Sequence, residues 1–410
     1  MRSLDVRTRT AADTRDVTPD AFFDDELPAL VDAHAHLALP GAHELGVTSF
    51  AIVTPSGAWT LALDEAHDTI RVTRGDTGDA ATELDHDEVA RLVDDRLTPM
   101  TLVASARVRM RRGSLEQFLD WWVVLRSLID GRPAHTRGSV ELRDRDGSPL
   151  DVTRSFTPED DDDAIAHFLT ETGFLHLEGW FGLDEMEAIS RDMDAAFAHY
   201  APDDGRSWWA ETADGTARAV RLQRFEEHSP TFAALIRDDR FLRIGRLTGD
   251  AYVPPAGGEA LEKPIGVVKG ISDLPWHKDC SLGMHSYNCC GLTVGVSVTG
   301  ADEQSGALAV VPGSHRALVQ PSFYRSLWGL PPRDLPTRTG DLTVHCSCTM
   351  HMSHPPVTKE RRVLYTGFSL APRGDSLAED RAVASAVREN AYKKVSQAPS
   401  PVAAGRSPGT

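Results

Sequence analysis

The chain has 410 residues, more than one domain usually holds, with 41% apolar and 25% charged residues, as in ordinary soluble globular proteins. Its formal charge of −18 argues against a nucleic-acid backbone or an anionic membrane surface as the main partner. Five cysteines are too few for a disulfide scaffold in so long a chain, which points to reduced thiols and a cytoplasmic location. No apolar run approaches the ~18 residues needed to cross a bilayer. Met1 to Arg7 lacks the apolar core of a signal peptide.

In chain order, residues 1–26 are polar and mixed in charge and are expected to be disordered. A small α/β domain is expected over 27–154. Ser49 to Val53 and Trp59 to Leu63 read as strands flanking a Pro55-Ser56-Gly57 turn, and Thr69 to Arg74 alternates as a third strand. Asp87 to Asp94 reads as a short helix and Leu102 to Met110 as another strand. Ser114 then caps a helix that carries Leu115, Phe118, Leu119, Trp122, Leu125 and Ile129 on one face. This order of elements resembles a sterol-carrier-protein-like domain, whose likeness implies a small sheet with helices around an apolar tunnel. A rival signal is Val31-Asp32-Ala33-His34-Ala35-His36, which resembles the metal-binding opening of the amidohydrolases. The rest of a (β/α)₈ barrel does not follow it, so a segment with two incidental histidines is the favoured reading.

The second domain is expected over 155–385, after a polar linker at 143–163 whose acidic end suits the N-terminus of a helix starting near Ala164. Met186, Ile189, Met193, Phe197 and Tyr200 recur at helical spacing and make one core-facing stripe. Trp208-Trp209 either line a substrate mouth or pack inward, and packing is favoured. Phe225 to Leu247 reads as helical, and the core sheet as running from Ile265 to Ser369. Arg218, Arg221 and Arg224 either bind an acidic substrate or balance nearby glutamates. Asp375 to Lys394 suggests a last helix, and 386–410 is its end plus a loose tail.

The chemistry centres on Pro275-Trp276-His277-Lys278-Asp279. On an extended strand His277 and Asp279 share a side, two thirds of the 2-His-1-carboxylate face that holds Fe(II) with positions left open. Gly340-Asp341 begins a stretch that offers His345, His351 and His354 as a third ligand. Arg361 and Arg362 follow, and either can fork onto an organic carboxylate. Together with Phe168-Leu169-Thr170-Glu171-Thr172-Gly173-Phe174 and Val310-Val311-Pro312-Gly313-Ser314-His315, this order resembles the phytanoyl-CoA dioxygenase family over Phe168 to Leu370. The resemblance implies a double-stranded β-helix, or jelly roll, padded by helices. It also implies Fe(II) with 2-oxoglutarate and O₂ as cosubstrates, and release of succinate and CO₂.

By that likeness the metal ligands are His277, Asp279 and His351, with His345 the runner-up on the same strand parity. Arg362 is expected to bind the far carboxylate of 2-oxoglutarate, with Arg361 facing outward; a one-residue shift swaps them. Ser353 matches a position that hydrogen-bonds the same carboxylate, and Thr293 is a candidate inward contact. Gly295 stands where some relatives have an aromatic residue. Cys280, Cys346 and Cys348 are read as small hydrophobes. The carboxylate of Asp279 argues against halogenation, because related halogenases carry a small residue there.

The expected fold class is therefore α+β, a small α/β domain followed by a jelly roll. The expected function is hydroxylation of an unactivated C–H in a small organic substrate, a natural product or a lipid-like acid, as in secondary metabolism. The alternatives are a lipid carrier with an inactive oxygenase domain and a zinc hydrolase built on His34 and His36.

Overall fold

The computed structural model describes residue 8, residues 10–202, 204–270, 273–282 and 291–371, and residues 373, 382 and 386. The first ordered turns come earlier than composition suggests. A short helix α1 (Pro19–Ala21) passes through a π-turn (Phe22–Glu26) into α2 (Leu27–Leu45). With a 3-10 turn already at Ala11–Asp13, the expectation of disorder up to residue 26 is thus corrected for 10–26. Phe22 and Phe23 are buried, and Phe23 stacks on Trp59 at 5.0 Å. Two aromatic rings bury enough surface to order a segment that otherwise reads as acidic and polar.

Strands β1 (Ser49–Thr54), β2 (Gly57–Asp64), β3 (Thr69–Arg74), β4 (Ala80–Glu83) and β5 (Arg109–Arg112) form one sheet in the order β3-β2-β1-β4-β5. The β1–β2 hairpin closes with Thr54 opposite Gly57, and only the β1–β4 pair is parallel. Helix α3 (His86–Val93) starts at an Asp85–Glu88 capping box. The strand expected over Leu102 to Met110 is corrected: its first part belongs to helix α4 (Pro99–Ala104) and only its end joins β5. Thr98 accepts a hydrogen bond from the Thr101 amide at 3.0 Å, and Pro99 occupies the first helical position. These start signals outweigh the β-branched run that follows.

Helix α5 (Leu115–Asp130) is capped by Ser114 and Gln117 in reciprocal bonds and ends at Gly131 with φ 59°. Its apolar surface is wider than the single stripe expected, for every residue from Phe118 to Leu128 is buried. One side covers the five-stranded sheet. The other meets the second domain, where Val123 packs with Ala134 and Leu318.

Beyond the linker, α6 (Asp162–Thr172) is capped by Asp161 and carries Asp162 and Asp163 in its first turn. There follow β6 (Phe174–Leu177), α7 (Leu183–Ala196), β7 (Ser207–Thr212), β8 (Ala217–Gln223), α8 (Pro230–Leu235), α9 (Asp239–Arg246) and β9 (Tyr252–Val253). The helix expected over Phe225 to Leu247 is therefore two short helices, each with its own cap at Ser229 and Asp238. The remaining strands are β10 (Glu259–Lys263), β11 (Val267–Lys269), β12 (Leu274–His277), β13 (Leu292–Ser297), β14 (Leu308–Val310), β15 (Arg333–Leu335), β16 (Leu342–Cys346), β17 (His351–Ser353) and β18 (Arg361–Leu370).

They build a large sheet in the order β11-β7-β8-β10-β18-β13-β16-β6, with β9 on the end of β18, and a small sheet in the order β12-β17-β14-β15. The arrangement is that of a jelly roll padded by helices. Val294, Val296, Val344 and Leu364 point out of the large sheet into a core shared with Phe168, Met186, Ile189, Phe232 and Phe241. Alternation then sends Thr293, Gly295, His345, Arg361, Val363 and Tyr365 to the opposite, inner face. The helix expected over Asp375 to Lys394 and the tail beyond it fall outside the described residues, apart from Ala382 and Ala386.

Candidate metal and cosubstrate site

His277 is the last residue of β12, and Asp279 opens a 3-10 turn, Asp279–Leu282. Lys278 between them points away, its ammonium on the Ser314 carbonyl at 3.0 Å. His351 begins β17, directly opposite His277 across the ladder. His277 and His351 each turn Nδ1 toward a main-chain carbonyl two residues back, Pro275 at 2.7 Å and Thr349 at 2.9 Å. That contact makes Nδ1 the protonated nitrogen and leaves the Nε2 lone pair of each ring for a ligand.

Both Nε2 atoms lie 3.5 Å from the same oxygen, Oδ1 of Asp279. Among the described residues, His277, Asp279 and His351 are the one set of three such side chains whose donor atoms converge, all within 4.8 Å of one another. The second oxygen, Oδ2, accepts from the Thr293 hydroxyl at 2.7 Å and lies 3.3 Å from His345 Nε2. One oxygen is thus held and the other presented.

The charges match this geometry. Burial opposes ionisation of Asp279, yet the three imidazoles around it hold its carboxyl well below the usual range. Burial, with repulsion from His345 and His277, keeps the His351 imidazole neutral far below its ordinary pKa. An ionised carboxylate beside two converging imidazole nitrogens fits a divalent cation, and this two-nitrogen, one-oxygen donor set fits Fe(II).

The expected role of Arg362 is corrected. Its guanidinium leaves the barrel and bonds Ser190 on α7, at 2.8 Å to the hydroxyl, and Asp194 at 2.6 Å. Arg361 takes the inner face, is buried, and donates to the Gly306 carbonyl at 2.7 Å. Its Nε is buried with no partner among the described residues. Sequence reasoning missed Lys263. It pairs with Arg361 across β10 and β18, is buried, and donates to Ser353 Oγ at 2.5 Å and the His354 carbonyl at 2.8 Å. Burial and the Arg361 charge push the Lys263 amine well below its usual range, with Asp273 opposing. A buried guanidinium with an idle donor beside a buried amine is an arrangement that can take an anion, which would restore the amine's charge. Ser353 is two residues beyond His351, about 7 Å along an extended strand, which is the span of a five-carbon diacid.

The other expectations sort as follows. Thr293, proposed as a cosubstrate contact, instead bonds the Asp279 carboxylate. His345 lies on β16 and not on the strand of His351, so the parity argument fails, although the two rings are 4.1 Å apart. At Gly295 an added Cβ would meet the Thr343 hydroxyl at 2.8 Å and the Tyr365 ring at 3.0 Å, so the neighbouring side chains already fill the place of a larger residue. Trp209 packs on the core, and Arg221 lies over the Trp208 ring at 4.3 Å. Arg218, Arg221 and Arg224 pair with Glu262, Glu259 and Glu227 respectively. Cys280 and Cys348 are buried and Cys346 is half-buried; none of the three is disulfide-bonded. His34 and His36 lie mid-helix in α2, two residues and so about 200° apart. His34 Nδ1 meets the Leu128 carbonyl at 2.6 Å and His36 is exposed, so they share no ion.

A cavity of about 460 Å³ is lined by Pro254, Gly257, Glu259, Tyr365 and Gly367 among others. Gly367 lies directly across the ladder from Thr293, the residue that holds Asp279.

Residues 169–364 match the family model described as phytanoyl-CoA dioxygenase (PhyH). Over these residues the chain is similar to the phytanoyl-CoA dioxygenase family. The chain is a non-haem enzyme of Fe(II), 2-oxoglutarate and O₂. It is 25% identical over 224 residues to a probable alpha-ketoglutarate-dependent hypophosphite dioxygenase of Stutzerimonas stutzeri, covering 49% of this chain and 76% of that one. Among solved structures it is similar to the epimerase SnoN from nogalamycin biosynthesis (19% identity, TM-score 0.42, 53% of this chain and 88% of that one). It is also similar to AviO1 from Streptomyces viridochromogenes Tue57 (18% identity, TM-score 0.42, 52% and 98%). No helix among the described residues is long and apolar enough to cross a membrane.

Proposed function

We propose that this phytanoyl-CoA dioxygenase-family enzyme hydroxylates an unactivated C–H bond of a small polar organic substrate. His277, Asp279 and His351 hold Fe(II), and Arg361, Lys263 and Ser353 receive the far carboxylate of 2-oxoglutarate. The observation that carries the reading is the single Asp279 oxygen 3.5 Å from both imidazole nitrogens. Bound Fe(II) with 2-oxoglutarate supplies O₂ activation, and succinate and CO₂ leave. The protein's own groups do the rest. The Pro275 and Thr349 carbonyls fix the imidazole tautomers. Thr293 and His345 hold the carboxylate so that one oxygen faces the ion. The buried Arg361 guanidinium and the Lys263 amine would orient the diacid where water is excluded. The cavity beside Gly367 is large enough for a small ligand, and Glu259, Tyr365, Thr366 and Ser369 give it a polar wall that disfavours a bare hydrocarbon chain.

The N-terminal domain is a five-stranded sheet packed with helices α2 and α5. Its apolar cavity, bounded by Phe23, Phe50, Trp121 and Trp122, holds about 20 Å³. That is room for about one water and not for a lipid chain. We read the domain as a structural partner of the oxygenase.

The test is succinate release from 2-oxoglutarate with Fe(II) in air, before and after His277→Ala and Arg361→Ala. Both substitutions are expected to abolish turnover at ordinary cosubstrate concentrations. Succinate formation that survives His277→Ala unchanged would remove the proposed metal site.

A further inference from the structure

Cys280 follows the ligand Asp279, and Cys348 stands three residues before the ligand His351. Their sulfur atoms are 3.5 Å apart, and both side chains are buried. The backbones are in register for a bridge: the Cys280 amide donates to the Ser347 carbonyl at 3.1 Å. Neighbouring backbone held by such a bond is the usual setting for cysteines that can join without moving the chain. Neither sulfur is needed in the donor set described above.

We propose that Cys280 and Cys348 form a reversible disulfide that ties the Asp279 turn to the approach to His351, and that closing it weakens the metal site. The oxidant is a peroxide. One thiol attacks it and becomes a sulfenic acid, releasing one water. The second thiol displaces a second water as the S–S bond forms. Two thiols lose two electrons and two protons, and one peroxide is reduced to two waters. A dithiol restores the thiols by exchange. Bonded sulfurs lie about 2.05 Å apart, so closure brings the two sulfur atoms more than ~1 Å closer and fixes the side chains beside Asp279 and before His351 in one geometry. Metal sites tolerate shifts of only about 0.2 Å in ligand distance.

The full-length protein, stripped of metal, is treated with hydrogen peroxide, blocked with N-ethylmaleimide, digested and mapped by mass spectrometry. The expected product is a peptide pair joined through Cys280 and Cys348 that separates on reduction. Full alkylation of both thiols, or a bridge from Cys280 to Cys289, Cys290 or Cys346, overturns the proposal. Co(II) titration followed by its visible spectrum reads the consequence. Oxidised wild type is expected to bind at least tenfold more weakly and to recover with dithiothreitol, whereas Cys348→Ser binds equally before and after peroxide. A bridged protein with unchanged Co(II) affinity sinks the switch. The weakening rests on the proposed metal site, but the mapped bridge does not. Protein that forms the bridge yet binds no Co(II) in either state therefore counts against the metal reading alone.

Discussion

Arg361 and Arg362 carry the same group, and only the pleat of β18 separates their fates. The phase of that pleat is set by partners: Lys263 and Val363 lie on the face of Arg361, whereas Leu364 and Phe368 lie on the face of Arg362 and enter the helix-covered core. A one-residue register is what a single sequence read alone transmits least well. Arg361→Ala should raise the KM for 2-oxoglutarate about 30- to 100-fold, since a buried charged hydrogen bond is worth about 2–3 kcal/mol. Arg362→Ala should leave that KM within about threefold and lower stability by about 1 kcal/mol or less, because its Asp194 partner is exposed. Steady-state kinetics on the two variants decides between them, and the reverse order would restore the original assignment. The two candidate histidines separate in the same way. Co(II) titration should find no tight site in His351→Ala, and in His345→Ala a site weakened about 10- to 100-fold, the range for a group that orients a ligand. Equal loss in both would make His345 a ligand.

At the level of elements, the His277-Lys278-Asp279 triplet was legible because three consecutive residues carry their own relative geometry. So was the cap at Ser114, where one side chain satisfies a local amide. Lys263 was not. It sits in no motif, and only the pairing of β10 with β18 brings it beside Arg361. The turn between β16 and β17 was also hidden, since Cys346 to His351 continues an apolar pattern through it. The full burial of α5 was unreadable for a related reason: its second apolar side answers to another domain. Glycine in a strand marks a further constraint of this kind. At Gly367 an added Cβ would sit 2.4 Å from the Leu292 carbonyl oxygen, a backbone atom of β13 that cannot rotate away. Gly367→Ala should therefore destabilise the oxygenase domain by about 1–3 kcal/mol. It should also disturb the Thr293 bond to Asp279 from the same ladder rung. Urea unfolding tests this, and a variant as stable as wild type would mean that β18 is free to shift.

The whole molecule is organised around a contact that neither domain shows by itself. The Thr98 hydroxyl, at the start of α4, donates to the Ser281 carbonyl in the same short turn that begins with Asp279. His135 bonds the Trp328 carbonyl at 2.9 Å, and Arg325 reaches back to Glu116 at 2.6 Å and Asp120 at 2.9 Å on α5. The N-terminal domain thus braces the loops that carry the site. Asp120 lies within this seam with 6% exposure, and burial raises its carboxyl to about 6 despite the opposing Arg325 charge. An acid whose folded pKa exceeds its unfolded value favours the folded state most when protonated. That contribution is complete below about pH 4 and is lost as pH rises through about 6. Asp120→Asn keeps an oxygen for Arg325 and removes the titration. Relative to this variant, wild type should lose about 2–3 kcal/mol of stability between pH 4 and pH 7. Paired denaturation curves across that range measure the difference directly. The loss should appear in the transition that separates the domains, because both halves of the ion pair must part there. A difference that stays flat with pH would place the Asp120 carboxyl in water, and the seam would then be looser than its burial implies.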